Sequence, residues 1–257
     1  MPGKFRYFIH LAYDGTGFYG WQRQPGLRTV QQTLEEALSM MLRNRIGLTG
    51  AGRTDTGVHA REFYAHFDLD SALPTAGRER LVFRLNSFLR GEISLDGIVP
   101  VKEDAHARFS AVSRTYRYCI ARNPDPFRRP YTYLYNRPLD IPKMDLGAGM
   151  IAAASDFTSF SKVDTDTATN ICRVEHARWE PEGSELVFTI TADRFLRNMV
   201  RAIVGTLLQV GKGKVSLDEL RKIIDGKDRC LAGDSAPAKG LVLAGIGYPE
   251  EIFLKDL

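Results

Sequence analysis

The chain contains 257 residues, of which 44% are apolar and 26% are charged, and its formal net charge is +4. This is the composition of a globular protein of one or two domains, long enough to bury a core without disulfides or metal ions. The three cysteines and five histidines show no disulfide framework or metal-ligand spacing, so we expect no metal site. No apolar run nears the ~20 residues that cross a bilayer, and the N-terminus lacks a signal-peptide pattern, which favours a soluble cytoplasmic protein.

The N-terminal half begins with strand and helix patterns in turn. Residues 5–13 alternate strictly between the two faces of a predicted strand, and a glycine-rich loop spans residues 14–26. Thr29 and Gln32 form a capping-box pattern at the start of a predicted helix. A second strand is predicted around residues 63–69.

A second helix is predicted near residues 78–89, with Leu81, Leu85 and Phe88 facing inward and its arginines facing outward. After residues 99–101 the strand and helix patterns begin again. We therefore expect a domain boundary there, with subdomains at residues 1–104 and 105–257.

The C-terminal half repeats the mixture of strands and helices. Strands are predicted at residues 115–120, 174–179, 185–191 and 241–246, and the second and third of these form a predicted hairpin that turns at residues 181–183. Helices are predicted from just after Asp140 to residue 154, at residues 198–210 and after a capping box at residues 216–219. Strands next to strands, with helices between them, predict an α+β fold: two similar subdomains that share a mostly antiparallel central sheet with helices packed on it.

The loop after the first strand contains a literal G-x-G-x-x-G pattern from Gly15 to Gly20. In a dinucleotide-binding site the third glycine lies in a helix, whereas here Pro25 and Gly26 interrupt the chain within one or two turns. A turn-forming glycine loop is therefore the favoured interpretation, and a nucleotide-dependent oxidoreductase is the disfavoured one.

Residues 50–60 form a second glycine-rich segment with Arg53 and Asp55 between strand patterns. Such a loop lets the backbone approach a ligand closely, although a tight turn capped by Asp55 would have the same spacing. No second carboxylate, Ser/His pair or metal cluster elsewhere is placed to carry catalysis. Asp55 is therefore the best single candidate for a catalytic residue.

Two windows of the sequence are strongly basic. The first holds six arginines against one acid, interleaved with aromatic residues, and the second holds five basic residues and no acid. The first comprises Arg108, Arg114, Arg117, Arg122, Arg128 and Arg129, and the second Arg194, Arg197, Arg201, Lys212 and Lys214. Arginine and aromatic residues together suit RNA, because guanidinium groups bind phosphate and rings stack on bases. Arg201 lies among apolar residues, so we expect it to be partly buried and to need an anionic partner.

Seven motifs in order make the sequence resemble the TruA-type tRNA pseudouridine synthases over nearly its whole length. They are YDGTGFYGWQ (residues 13–22), GRTDTGVHA (52–60), HARFSA (106–111), RTYRY (114–118), DFTSF (156–160), FLRNMVRAIVG (195–205) and APAKGL (236–241). Thr56, Ser155 and Ala202 depart from the common family pattern, and none of the three is the expected nucleophile.

The resemblance implies a role for individual residues and a pseudouridine synthase fold. Asp55 is implied to be the nucleophile, Arg201 to pair with it, and Tyr116 to stack on the target base. Leu241 is similar to the apolar residue that closes the other side of the base pocket, and Arg53 to the arginine linked to tRNA binding and base flipping. The motifs HARFSA and RTYRY add Arg108 and Arg114 as expected substrate-binding residues.

The resemblance further implies isomerisation of uridine at tRNA positions 38, 39 and 40, in the anticodon stem and loop, by a homodimer. The reaction conserves atoms, so we expect no cofactor. Whether Asp55 attacks C6 of the uracil or C1′ of the ribose stays open. A non-catalytic tRNA-binding or chaperone protein on the same fold is the alternative.

Overall fold

The computed structural model describes residues 4–162 and 169–254. Contacts within this part of the chain divide it into two compact units. The first unit contains the described residues up to Val112 together with those from Leu243 onward, and the second contains Ser113–Val242. The domain boundary expected between residues 104 and 105 stays a prediction. In the structure, the chain returns to the first unit for its last segment.

The first unit is built on an antiparallel sheet. Strand β1 (Phe5–Tyr13) lies between β3 (His59–Leu69) and β4 (Ile93–Val101) and is antiparallel to both. The short strand β2 (Thr49–Gly50) pairs with β3. Strand β9 (Leu241–Gly247), which enters this unit at Leu243, also neighbours β3. The predicted strands at residues 5–13 and 63–69 are confirmed.

Strand β4 contains the segment that marks the expected domain boundary. Val101 lies opposite Arg6 of β1, so residues 99–101 are the end of a paired strand. The alternation that reveals a strand in a sequence is interrupted here by Gly97 and Pro100. Proline is tolerated at this position because β4 ends the strand order, so one of its edges is not paired with another strand of the sheet.

Helices α1 (Val30–Leu42) and α2 (Thr75–Leu89) belong to the first unit, and α2 packs on β4. The hydroxyl of Thr29 accepts a hydrogen bond from the Gln32 N–H at 3.3 Å, as the capping pattern predicts. The Gln32 side chain, however, donates to Glu36 one turn further on, so only half of the capping box is formed.

The orientation predicted for α2 is correct for Leu81 and Leu85 but wrong for two other residues. Leu89 takes the inward position expected for Phe88, whose side chain is exposed. Arg78 points inward and is buried, where its guanidinium donates to a backbone carbonyl oxygen before the helix and to a hydroxyl of the first turn. These two hydrogen bonds offset the cost of burying the charge.

The second unit has its own antiparallel strands, with β8 (Glu185–Ala192) between β5 (Ser113–Ala121) and β7 (Val174–Glu182). Strands β7 and β8 form the predicted hairpin, and Gly183 in its turn has a φ of 57°. The two-residue strand β6 (Tyr133–Leu134) runs parallel to the end of β5.

Three helices of the second unit confirm the predicted segments: α3 (Ile141–Ala153), α4 (Met199–Gly211) and α5 (Leu217–Asp225). Asp140 caps α3, and the box that begins at Ser216 caps α5 with both of its reciprocal hydrogen bonds. Helix α4 is almost entirely buried, and α3 packs on β7 and on both other helices.

Antiparallel strands with helices in each unit confirm the α+β class. Among residues 4–162 and 169–254, no helix is long and apolar enough to cross a membrane. The same part of the chain contains no group of three or more His, Cys, Asp or Glu side chains that could hold a metal ion.

Candidate active site

The loop that carries Asp55 connects β2 to β3 in the first unit. Thr54, just before Asp55, is buried, and its hydroxyl shares a hydrogen bond of 2.8 Å with the Tyr13 hydroxyl at the end of β1. Asp55 is only partly buried, and Arg53 is exposed. The loop therefore anchors Thr54 in the core, while Arg53 is exposed and Asp55 stays partly accessible.

The glycine-rich loop after β1 holds the Asp55 loop from one side. The Trp21 N–H donates to the Thr54 carbonyl oxygen at 3.3 Å, and the Gly57 N–H donates to the Phe18 carbonyl oxygen at 3.3 Å. The Gly15 N–H adds a hydrogen bond of 3.1 Å to Nδ1 of His59, where β3 begins. The first two of these bonds join backbone atoms, so they hold the loop in place whatever side chains it carries.

Three glycines allow the two loops to come this close. A Cβ atom on Gly15 would lie 2.1 Å from the Val58 carbonyl oxygen, and one on Gly20 would lie 2.4 Å from that of Thr54. Gly20 also has a φ of +82°, which strongly favours glycine. The first and last glycines of the G-x-G-x-x-G pattern therefore pack against the Asp55 loop, as the favoured interpretation of a turn-forming loop requires. Gly50 does the same on the other side, with Trp21 2.4 Å from its would-be Cβ.

An ion pair ties the chain just after the glycine-rich loop to the segment after α2. The Arg28 guanidinium makes two hydrogen bonds to the Glu92 carboxylate, at 2.9 and 2.6 Å, and lies 4.5 Å from the centre of the Phe18 ring. The Asp14 N–H donates to the Glu92 carbonyl oxygen at 2.9 Å. The hydrogen bonds to Arg28 hold the pKa of Glu92 below its usual range.

Arg108 is exposed on a turn of the first unit and lies over the ring of Phe109, 5.4 Å from its centre. Nδ1 of His106 accepts a hydrogen bond of 3.1 Å from the Arg108 N–H. The Ala107 N–H, next to His106, donates to Nδ1 of His66 at 3.1 Å. Burial lowers the pKa of His66 to about 4, so its ring is neutral at neutral pH and accepts that bond.

Tyr116 lies in β5 of the second unit, opposite Ile190 of β8. The ring of Phe195 meets it edge-on, with centroids 5.1 Å apart and an interplanar angle of 88°. Arg114, two residues earlier in the same strand, donates from Nη1 to the Asp193 carbonyl oxygen at 2.8 Å. A side chain held by a neighbouring ring keeps its orientation, which suits a platform for stacking.

Arg201 lies in the first turn of α4 and is partly buried, as expected. Its Nε donates to the Ala236 carbonyl oxygen at 2.8 Å, and the Ala236 N–H donates back to the Arg201 carbonyl oxygen at 2.9 Å. Asn198, which precedes the helix with a φ of 66°, donates to the Ser235 hydroxyl at 2.6 Å. A Cβ on Gly205 would lie 1.7 Å from a carbonyl oxygen of the same segment. The start of α4 and residues 234–236 are thus closely joined.

Tyr118 connects this segment to Leu241. Its hydroxyl donates to the Pro237 carbonyl oxygen at 2.8 Å, and a Cβ on Gly240 would lie 2.7 Å from its ring. Burial raises the pKa of Tyr118, and the nearby charge of Arg201 opposes this effect. Leu241 follows directly and is buried. Residues 236–241 therefore form one short segment that Tyr118 contacts. Arg201 is hydrogen-bonded to its first residue, and Leu241 is its last.

Each unit carries part of the predicted site. The first unit holds Arg53, Asp55 and Arg108, and the second holds Arg114, Tyr116, Arg201 and Leu241. Sequence reasoning missed three supporting residues: Thr54, Tyr118 and Phe195. All three lie inside the quoted motifs, and a buried aromatic two residues from Tyr116 on the same face of a strand is a signal that could have found Tyr118.

The α+β fold with these motif segments defines the class of pseudouridine synthases, which isomerise uridine in RNA. A family model described as "tRNA pseudouridine synthase" matches residues 154–249. The chain is 51% identical to the tRNA pseudouridine synthase A of Porphyromonas gingivalis, over 97% of its own length and 99% of that protein. It is 51% identical to that of Bacteroides fragilis over 96% and 98% of the two chains, and 41% identical to that of Halalkalibacterium halodurans over 91% and 89%. The chain belongs to the tRNA pseudouridine synthase A family of isomerases, which confirms the resemblance.

Proposed function

We propose that this protein converts uridine to pseudouridine at positions 38, 39 and 40 of tRNA, with Asp55 as the nucleophile. The observation that carries the proposal is the loop around Asp55, which backbone hydrogen bonds and close glycine contacts hold in place while Asp55 stays partly accessible. A catalytic group must be held within about 0.5 Å of its productive position, which such a loop can do. The names of the relatives support tRNA as the substrate.

The reaction exchanges one bond to C1′ for another. The N1–C1′ bond of uridine breaks, the uracil rotates, C5 bonds to C1′, and the proton on C5 is lost while N1 gains one. An ionised carboxylate at Asp55 can attack either C6 or C1′ and leave again, so that no atom is gained or lost. We assign Arg201 to pair with this carboxylate, because an adjacent cation both favours the ionised form and fixes its direction.

The target base must leave the RNA stack before it can react, at a cost of a few kcal/mol. In the proposed mechanism Tyr116, steadied by Phe195, stacks on the extruded uracil, and Leu241 provides an aliphatic wall. An aromatic and an aliphatic surface hold a detached uracil while letting it rotate. Arg53, Arg108 and Arg114 bind the RNA and offset the cost of base flipping.

The test is the release of tritium from tRNA that carries 5-tritiated uridine, because the C5 proton is lost only when the product forms. We expect Asp55→Asn to abolish release, and Asp70→Asn, which changes an exposed aspartate of the same unit, to leave it intact. Equal release by Asp55→Asn and the intact protein would exclude Asp55 as the nucleophile. Binding of tRNA without release by the intact protein would support the alternative of a non-catalytic tRNA-binding protein.

Three further measurements test the finer points. Arg201→Met should remain folded in a thermal melt but lose turnover, and wild-type turnover would exclude an essential role for Arg201. Transcripts with a single uridine at position 38, 39 or 40 should each release tritium, whereas a transcript without any of them should not. We also propose a cytoplasmic homodimer, for which sedimentation at micromolar concentration should give twice the mass of one chain.

A further inference from the structure

Residues from the two basic windows of the sequence come together within the second unit. Four cations come together there: Arg122, Arg137, Lys212 and Lys214. We refer to them as the basic cluster. Arg122 comes from the first window and both lysines from the second, while Arg137 lies in neither.

Backbone pairing at the end of β5 places Arg122 beside Arg137. The Tyr135 N–H donates to the Ala121 carbonyl oxygen at 3.0 Å, which brings the returning chain alongside the strand end. Nη2 of Arg122 then donates to the Arg137 carbonyl oxygen at 2.8 Å. Its other terminal nitrogen, Nη1, is buried and has no hydrogen-bond partner in the part of the chain that the structure describes.

The end of α4 adds the two lysines. Nζ of Lys212 lies 4.8 Å from the centre of the Tyr135 ring, a cation–π contact that fixes its position beside the returning chain. Partial burial lowers the pKa of Lys212, and the positive charges of Lys214 and Arg137 lower it further. The charges of Lys214 and Arg137 are therefore close enough to repel that of Lys212.

No acid in the described part of the chain forms an ion pair with these cations. The carboxylate of Asp140, whose backbone is bonded to the end of α4, is held by Lys143 at 2.9 Å. The dipole of α4 favours a cation at its C-terminus and so accounts for Lys212. It does not account for Arg122 or Arg137, which come from another segment.

We propose that the basic cluster binds consecutive phosphates of the RNA backbone, as a contact for the substrate separate from the base pocket; this rests on the proposed function. A row of anions relieves the repulsion of Lys212 by Lys214 and Arg137 and supplies the negative charge that the cluster lacks among the described residues. Arg137 and Lys214 are both exposed, so a continuous chain of phosphates can pass over them. Such a contact is independent of base sequence and adds affinity for the whole tRNA.

The test compares the double variant Arg137→Gln, Lys214→Gln with Lys143→Gln, which removes a lysine that Asp140 already neutralises. Binding of tRNA is measured by filter retention between about 50 and 200 mM salt. The double variant should bind roughly tenfold more weakly at the lower salt, and the slope of log Kd against log salt should fall by roughly one for each lost charge. Turnover at saturating tRNA should stay unchanged while KM rises.

An unchanged slope and affinity in the double variant would overturn the proposal, as would an equal loss in Lys143→Gln. If the double variant melts at a lower temperature than the intact protein, Lys214→Gln alone decides, since that exposed side chain makes no hydrogen bond or ion pair among the described residues. A failure of the intact protein to release tritium would refute the proposed function but not this binding result, because the two are measured separately.

Discussion

Replacing Gly15 by alanine tests whether the glycine-rich loop positions the Asp55 loop, which we propose to be catalytic. The new Cβ would lie 2.1 Å from the Val58 carbonyl oxygen, whereas real Cβ atoms essentially never come within 3.0 Å of such an atom. One of the two backbones must therefore move by about 1 Å, and a displacement of that size at a reacting group costs about 100-fold in rate. Overpacking of this kind also costs about 1–3 kcal/mol of stability.

The assay is single-turnover release of tritium, combined with urea unfolding and with the affinity for tRNA. We expect Gly15→Ala to lose about 100-fold in rate while the fraction that stays folded binds tRNA as before. Gly47→Ala is the matched control, because Gly47 is exposed and a Cβ there would meet nothing within 4 Å. Wild-type rate and stability in Gly15→Ala would refute the packing argument. A loss of stability with a normal rate would show that the contact supports the fold alone.

Three other predictions concern local structure. As pH falls from 7 to 5, His66 becomes protonated in the unfolded chain but not in the folded protein, which should lower the free energy of unfolding by about 2 kcal/mol. In urea titrations, the free energy of unfolding of His66→Gln should therefore depend less on pH than that of the intact protein. Ser216→Ala removes the acceptor of the Glu219 N–H and should cost about 1 kcal/mol, seen as a lowering of the melting temperature by about 2–4 °C. Phe195→Leu removes the edge contact with Tyr116, which is worth about 0.5–1.5 kcal/mol. It should raise KM in steady-state assays, while the affinity of the protein for a tRNA that cannot be modified should stay nearly unchanged.

Local patterns predicted much of the fold because they act over a few residues. Three such signals are the capping box at Ser216, the cap at Asp140 and the turn at Gly183. Each depends only on residues close to it in the sequence, and the structure contains the elements they predict: α5, α3 and the β7–β8 hairpin. Strand β4 could not be predicted in this way. Its pairing depends on β1, almost ninety residues away, and its own sequence carries a glycine and a proline.

The candidate site shows the same limit. Asp55 could be singled out because few other residues in the sequence offer catalytic chemistry. The role of Gly15 and Gly20 could not be predicted, since each of them packs against a carbonyl oxygen that lies about forty residues further along the chain. The inward position of Arg78 was likewise hidden, because charged residues are almost never buried without partners and those partners are set by the start of the helix.

The division of the chain into two units has a consequence for folding during synthesis on the ribosome. Ser113–Val242 is continuous, so the second unit is complete in synthesis before the first, whose last residues follow it. Those residues are structural: the Leu254 N–H donates to the Pro100 carbonyl oxygen at 3.0 Å, and the ring of Tyr248 packs edge-on against Phe8. The unit that carries Asp55 is therefore completed after the second unit, although most of its residues precede that unit in the chain.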